Sequence, residues 1–196
     1  MTDRELLRAF VSQSDVASLG LFMSRYQDSL LRFAAKLLGD PDAAQDIVQE
    51  AFLRVAKHPA RLLEVESCHN WLLRVVRNIG VDHLRRRQRD QRYRQAQVAG
   101  AIETHVAGTT DAKESSTERD EVRAQIYDAL GQLKAHQREL FLLKVQEEKS
   151  YREIAEITGM SVTNVGYQLH QVMRKLSTRL AGLNPGGNPA AREVES

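Results

Sequence analysis

Up to about residue 90, apolar residues recur every three or four positions, the period of an α-helix. Leu19, Phe22, Met23, Tyr26, Leu30, Phe33, Ala34 and Leu37 form one such stripe. Ala44, Ile47, Val48, Ala51, Phe52 and Val55 form a second, and Trp71, Leu72, Val75, Val76 and Ile79 a third. The boundaries carry helix punctuation. Thr2-x-x-Glu5 is a capping box. Gly39-Asp40-Pro41 stops one helix and starts the next, with Asp40 as cap and Pro41 in the first turn. His58-Pro59 ends that helix, residues 61–70 read as a loop, and a further helix is expected from Asn70 to about Arg87.

Residues 95–117 change character, with Gln, Ala, Gly, Thr, Ser and acids but little large apolar matter. A flexible linker is expected there. Helical spacing resumes with Val122, Ile126, Leu130 and Leu133, and Leu140-Phe141-Leu142-Leu143 is apolar on nearly every side. Ser150-x-x-Glu153 is a second capping box. It opens a short helix, followed by a Gly159-Met160-Ser161 turn and a longer helix with Val165, Leu169, Val172 and Leu176 inward. Short helix, glycine turn and longer helix are the grammar of a helix–turn–helix. The reading is an all-α chain of two small helical domains, 1–94 and 118–183, joined by the linker 95–117. Residues 184–196 are expected to be a disordered tail.

Composition narrows the class. The chain has 196 residues, 42% hydrophobic and 28% charged, enough apolar matter for packed cores. No apolar run approaches a membrane span and no signal peptide is evident, so a cytoplasmic protein without membrane insertion is expected. A single cysteine, Cys68, excludes an intramolecular disulfide framework. Cys68, His69 and His58 lack ordinary zinc-ligand spacing. Neither a phosphate-binding glycine loop nor a catalytic signature is present. The expectation is a non-enzyme without cofactor or metal.

The net charge of +2 conceals six arginines between Arg85 and Arg94 against one acid, Asp90. Such a cluster suits an anionic partner, nucleic acid first, or a solvated helix end. Arg74, Arg77, Asn78, Asp82 and Arg85 lead into it at successive spacings of 3, 1, 4 and 3. That face suits phosphates and bases, or Asp82–Arg pairing within the helix. Asp46, Gln49 and Glu50 share a stripe that is either a solvated acidic face or a docking face for a basic partner. On the last helix, Thr163, Asn164, Tyr167, Gln168, Gln171 and Arg174 point away from the core. Asn and Gln can pair with adenine and Thr can touch a thymine methyl, so major-groove reading is favoured over a plain helical hairpin.

The run Leu38-Gly39-Asp40-Pro41-Asp42-Ala43-Ala44-Gln45-Asp46-Ile47-Val48-Gln49-Glu50-Ala51-Phe52-Leu53-Arg54-Val55 resembles conserved region 2 of bacterial RNA polymerase sigma factors. Trp71 to Asn78, then Asp82 and Leu84 to Arg87, resemble its −10-reading and melting helix, and Ser150 to Leu176 is similar to region 4. Order, linker and domain content resemble the extracytoplasmic-function (ECF) class. The resemblance implies a transcription-initiation subunit that binds core polymerase, recognises −35 and −10 elements and melts DNA. Asp46, Gln49, Glu50 and Leu53 would meet the clamp of the polymerase β′ subunit. Trp71, Arg74, Arg77, Asn78, Asp82, Arg85 and Arg86 would meet the −10 element. The loop Arg61–Asn70 would hold a flipped base, with Trp71 as wedge or as core anchor. Thr163, Asn164, Tyr167, Gln168, Gln171 and Arg174 would meet the −35 element. The resemblance admits an anti-sigma factor as a further partner.

One departure stands out: the last helix has Gly166, Tyr167, Gln168 and Gln171 where relatives are richer in Lys and Arg. Fewer cations mean a shallower salt dependence. In the free protein, the two domains packing together and hiding their DNA faces is a further hypothesis. The competing reading is an autonomous helix–turn–helix regulator binding duplex DNA as a dimer. A third is a partner-binding anti-regulator that touches no DNA.

Overall fold

The computed structural model describes residues 1–98 and 128–181, and those residues contain helices and no strand. Linker residues 99–117, the stripe positions Val122 and Ile126, and the tail 184–196 lie outside the described residues.

Helices α1 (Asp3–Gln13), α2 (Val16–Leu38), α3 (Pro41–Lys57), the single turn α4 (Ala60–Leu63) and α5 (Cys68–Val98) form the N-terminal half. The capping box at Thr2 closes in both directions: Thr2 N–H donates to Glu5 Oε2 (2.7 Å) and Glu5 N–H to Thr2 Oγ1 (3.3 Å). Asp15 caps α2 by accepting from the Ala17 N–H, and Asp40 caps α3 by accepting from the Ala43 N–H. Gly39 ends α2 at φ 68°, a left-handed conformation in which a side chain would be strained.

Two boundaries differ from the expected ones. The segment 61–70 is partly helical, because α4 forms and α5 starts two residues before Asn70. Ser67 explains the earlier start: its Oγ accepts from the Asn70 N–H (3.2 Å), capping the first turn. At its other end α5 runs to Val98 rather than Arg87. Beyond Asn70 it contains no proline, and its Arg- and Gln-rich segment consists of good helix formers. The first residues of the expected linker therefore continue this helix.

The C-terminal half comprises a helix end at residues 128–131, α6 (Ala135–Phe141), a five-residue π-helical turn (Leu142–Gln146), α7 (Tyr151–Thr158) and α8 (Val162–Ala181). Ser150 and Glu153 form the second capping box, and Gly159 turns α7 toward α8 at φ 76°.

The halves are packed against each other. One buried cluster joins Phe22, Phe33, Leu37, Leu72 and Val76 to Leu140, Leu142, Leu143, Ile154 and Val165. A second cluster, Ala129, Leu130, Leu133, Val172 and Leu176, lies within the C-terminal half, and Phe141 packs against both. Gly80 on α5 faces the end of α2. A Cβ there would stand 3.3 Å from Leu37 Cδ2.

Candidate functional site

Asp46, Gln49, Glu50 and Leu53 project together from α3 and are all exposed. Leu53 is 52% accessible, a large exposure for an apolar side chain. It forms a wall of an open groove of about 610 Å³ between α2 and α3. Met23, Gln27 and Leu31 line one side; Val48, Gln49, Phe52 and Leu53 line the other. Phe52, expected in the core, is half-buried in this groove. Glu50 pairs with Arg54 one turn on, an exposed contact that adds little rigidity. The result is an apolar slot with Gln27, Gln45 and Gln49 in its lining, on a helix that also exposes Asp46 and Glu50, suited to a helical partner with a basic flank.

On α5, Arg74, Asn78, Asp82, Arg85 and Arg86 are exposed. Asp82 stands 3.6 Å from Arg85, so the intrahelical pairing expected as one alternative forms. Arg87 reaches Asp40 at the α2–α3 turn (3.5 Å). Arg86, Arg89, Arg92 and Arg94 make no ion pair among the described residues. A shallow depression of about 530 Å³ lined by Asp82, Arg85, Arg86, Gln88, Arg89 and Arg92 is a concentrated cationic surface. Trp71 is half-buried against the main core, which fits the anchor alternative.

Arg77 departs from its stripe. Its Nε donates to Glu139 Oε1 (2.6 Å) and its Nη2 to Glu139 Oε2 (3.4 Å). The Glu139 side chain is 3% exposed. Burial pushes the Glu139 carboxyl above its ordinary range, and the Arg77 guanidinium opposes that shift. The next residue back, Arg138, donates to the carbonyls of Leu37 (3.1 Å), Leu130 (2.9 Å) and Gly131 (2.8 Å). One guanidinium thus caps two helix ends, one from each half.

A second polar cluster spans the same boundary. Ser29 Oγ donates to Glu147 (2.6 Å), and His69 Nε2 lies 3.3 Å from that carboxylate. Lys149 Nζ lies 3.2 Å from His69 Nδ1, and Asn70 Nδ2 donates to Glu153 (3.2 Å). Burial would raise the Glu147 carboxyl, but hydrogen bonds from His69, Ser29 and Gln146 outweigh it and the net shift is downward. The π-helical turn, followed by Glu148 at φ 52°, brings Glu147 to this position. Cys68 is buried beneath α4, with its Sγ 3.8 Å from the Leu62 carbonyl, and burial raises its thiol pKa.

On α8, Ser161 Oγ accepts from the Asn164 N–H (3.2 Å), fixing the first turn. Thr163, Asn164, Tyr167 and Arg174 are exposed, and Gln168 and Gln171 are half-buried. Arg174 donates to Gln171 Oε1 (3.3 Å). The opposite face, Val165, Leu169, Val172 and Leu176, is buried as its spacing predicted. Arg138, Glu139, Glu147, His69 and Ser29 were not legible as a set. Their partners lie in the other half of the chain, and only the unusual Arg-Glu pair ahead of an apolar run hinted at them.

Comparison with known proteins gives this geometry its context. Residues 22–90 match the Sigma-70 region 2 family and residues 123–176 match Sigma-70 region 4. The chain is 32% identical over 187 residues to the ECF RNA polymerase sigma factor SigL of Mycobacterium tuberculosis, covering 89% of this chain and 97% of that one. It is 25% identical to the ECF sigma factor SigW of Bacillus subtilis, covering 88% and 94%. Among solved structures, CnrH in complex with the cytosolic domain of CnrY superposes with a TM-score of 0.62 at 20% identity, over 92% of this chain and 97% of that one. The sigma factor RpoE of Bartonella quintana, solved with the anti-sigma factor NepR, gives 0.58 at 22% identity, over 78% and 90%. Both share the fold. The chain belongs to the ECF class of RNA polymerase sigma factors. It is therefore a promoter-specificity subunit, and the autonomous-regulator alternative is not favoured.

Proposed function

We propose that the three exposed surfaces divide the work of initiation. The α2–α3 groove, with Asp46, Gln49, Glu50 and Leu53, receives the β′ clamp of core polymerase. Trp71, Arg74, Arg77, Asn78, Asp82, Arg85 and Arg86 on α5 engage and open the −10 element. Thr163, Asn164, Tyr167, Gln168, Gln171 and Arg174 on α8 read the −35 element. Residues 1–94 and 118–183 act as separate domains during this work, tethered by 95–117. The protein does no chemistry itself; polymerase supplies catalysis and the cytoplasmic setting. The observation that carries the reading is an exposed leucine in an apolar slot on a helix that also exposes Asp46 and Glu50, in a chain whose two halves match Sigma-70 regions 2 and 4.

The solved neighbour RpoE is in complex with the anti-sigma factor NepR, so a protein antagonist is part of the proposal. Among the described residues no helix is long and apolar enough to cross a membrane. The test is binding of the purified chain to bacterial core polymerase, with Glu50→Lys beside it. Tight binding lost on charge reversal is the expected result. Equal binding by the variant would remove α3 from the docking role.

A further inference from the structure

Arg74, Asn78, Asp82, Arg85, Arg89 and Arg92 follow one another along α5 at spacings of 4, 4, 3, 4 and 3, and all six are exposed. That spacing is one helical stripe. The face proposed for −10 DNA therefore continues six residues past its last proposed member, Arg86, or about 9 Å along the helix. Packing does not account for the continuation. Leu84 is the last described residue of α5 set against the core, and every residue from Arg85 to Gln95 is exposed. Arg85 and Arg87 have acidic partners in Asp82 and Asp40, whereas Arg86, Arg89 and Arg92 have none among the described residues. Arg85 and Arg92 stand four and three residues from Arg89, the separations at which like charges on a helix repel. Asp90, the only acid in this run, does not line the depression that Arg85, Arg86, Arg89 and Arg92 share. A polyanion turns that repulsion into binding.

The recognition helix α8 has the opposite composition. Of its six outward residues, Arg174 alone carries a charge. It offers few phosphate contacts, so the electrostatic hold on DNA falls to another surface. Chain order tethers the −35-reading half to the C-terminal end of α5. With both elements bound, that end is the one nearer the duplex between them.

We propose that Arg89 and Arg92 form a phosphate-binding extension of α5 that grips the backbone of the duplex just upstream of the −10 element, without reading its bases. This rests on the proposed role of α5 in −10 binding. A guanidinium fork matches phosphate oxygens, and two of them one turn apart follow a strand without a base-specific contact.

The test uses the full chain with core polymerase and two DNAs that share a pre-opened bubble, one with an upstream duplex arm and one with the arm removed. Arg89→Gln/Arg92→Gln is compared with wild type and with Arg89→Lys/Arg92→Lys across salt concentrations, and far-UV circular dichroism checks folding. On the armed DNA the Gln pair is expected to bind several-fold more weakly and to lower the log–log salt slope by about 1.8, two duplex phosphate contacts at about 0.9 each. The Lys pair keeps the charge and is expected to keep the wild-type slope. On the armless DNA all three chains are expected to bind alike. Wild-type affinity and slope for the Gln pair on armed DNA overturn the proposal. An equal loss on both DNAs also overturns it, because the contact then lies in the opened strands. Binding of wild type to core polymerase is read in parallel. Its absence would count against the sigma-factor docking surface, and titration of the free chains with the arm duplex alone would then decide the extension by the same slope difference.

Discussion

Arg77 Nε lies 2.6 Å from Glu139 Oε1, and these residues belong to opposite halves of the chain, 62 positions apart. The carboxylate is almost wholly buried, whereas the guanidinium retains 23% of its side-chain exposure. The two partners therefore respond differently to loss of the other. Removing Arg77 leaves a carboxylate without its cation in an apolar boundary. Removing Glu139 leaves a guanidinium with a path to water.

From this asymmetry, Arg77→Ala is expected to lower stability by about 3–5 kcal/mol near neutral pH. Arg77→Met/Glu139→Leu is expected to be near neutral. The loss in Arg77→Ala depends on pH. The Glu139 folded-state pKa is already raised by burial and rises further without Arg77. Its contribution to stability is then fully present below the unfolded-state pKa and declines as pH rises through the folded-state value. Urea denaturation at pH 5 and pH 8 should show the larger deficit at pH 8. An equal deficit at both would mean Glu139 reaches solvent.

Acid stability depends on carboxylates shifted the other way. Glu153 is held at about 2 by its hydrogen bonds to the Ser150 backbone and hydroxyl, and Glu147 is also lowered. A depressed carboxylate contributes stability above its unfolded-state pKa and loses it as pH falls through the folded-state value. The melting temperature should therefore fall between about pH 4.5 and 2. Glu153→Gln should flatten part of that decline. Ser150→Ala should cost about 1 kcal/mol at pH 7 through loss of the cap.

Two glycines should respond oppositely to alanine. At Gly166 a Cβ would meet the Tyr151 ring at 3.6 Å, an ordinary contact, and the helix gains intrinsic propensity. Gly166→Ala should raise the melting temperature by about 2–4 °C. At Gly80 the Cβ would stand 3.3 Å from Leu37 Cδ2, whose residue is 1% exposed and whose carbonyl already binds Arg138. Gly80→Ala should lower the melting temperature. Thermal scans of both variants decide the matter.

Leu53→Glu tests the groove separately from its charged edge. Leu53 is half exposed, so the folded state tolerates the change within about 0.5 kcal/mol. Binding to core polymerase should weaken at least about tenfold, the scale of a lost apolar anchor at an interface centre. Titration of core polymerase with wild-type and variant chains reads the difference, and unchanged affinity would place the contact elsewhere.

Secondary structure was largely written into local order. Period 3.6, two capping boxes, Asp40-Pro41 and Gly159 are decisions among residues within one or two turns, and they specify the all-α class and the helix–turn–helix without any distant partner. The exposure of the α3 residues proposed for docking and of the outward face of α8 was legible for the same reason: helical spacing alone separates them from the buried stripe. Boundaries failed where the signal was a single hydroxyl, as at Ser67, or where nothing local stops a helix, as beyond Arg87. Only the tertiary structure decided which exposed-looking charges are exposed. Arg77 has the spacing of Arg74 and Asn78, and nothing in its neighbours distinguishes it. Its partner is supplied by α6, and the burial that gives their pairing its selectivity comes from two apolar faces meeting across the chain.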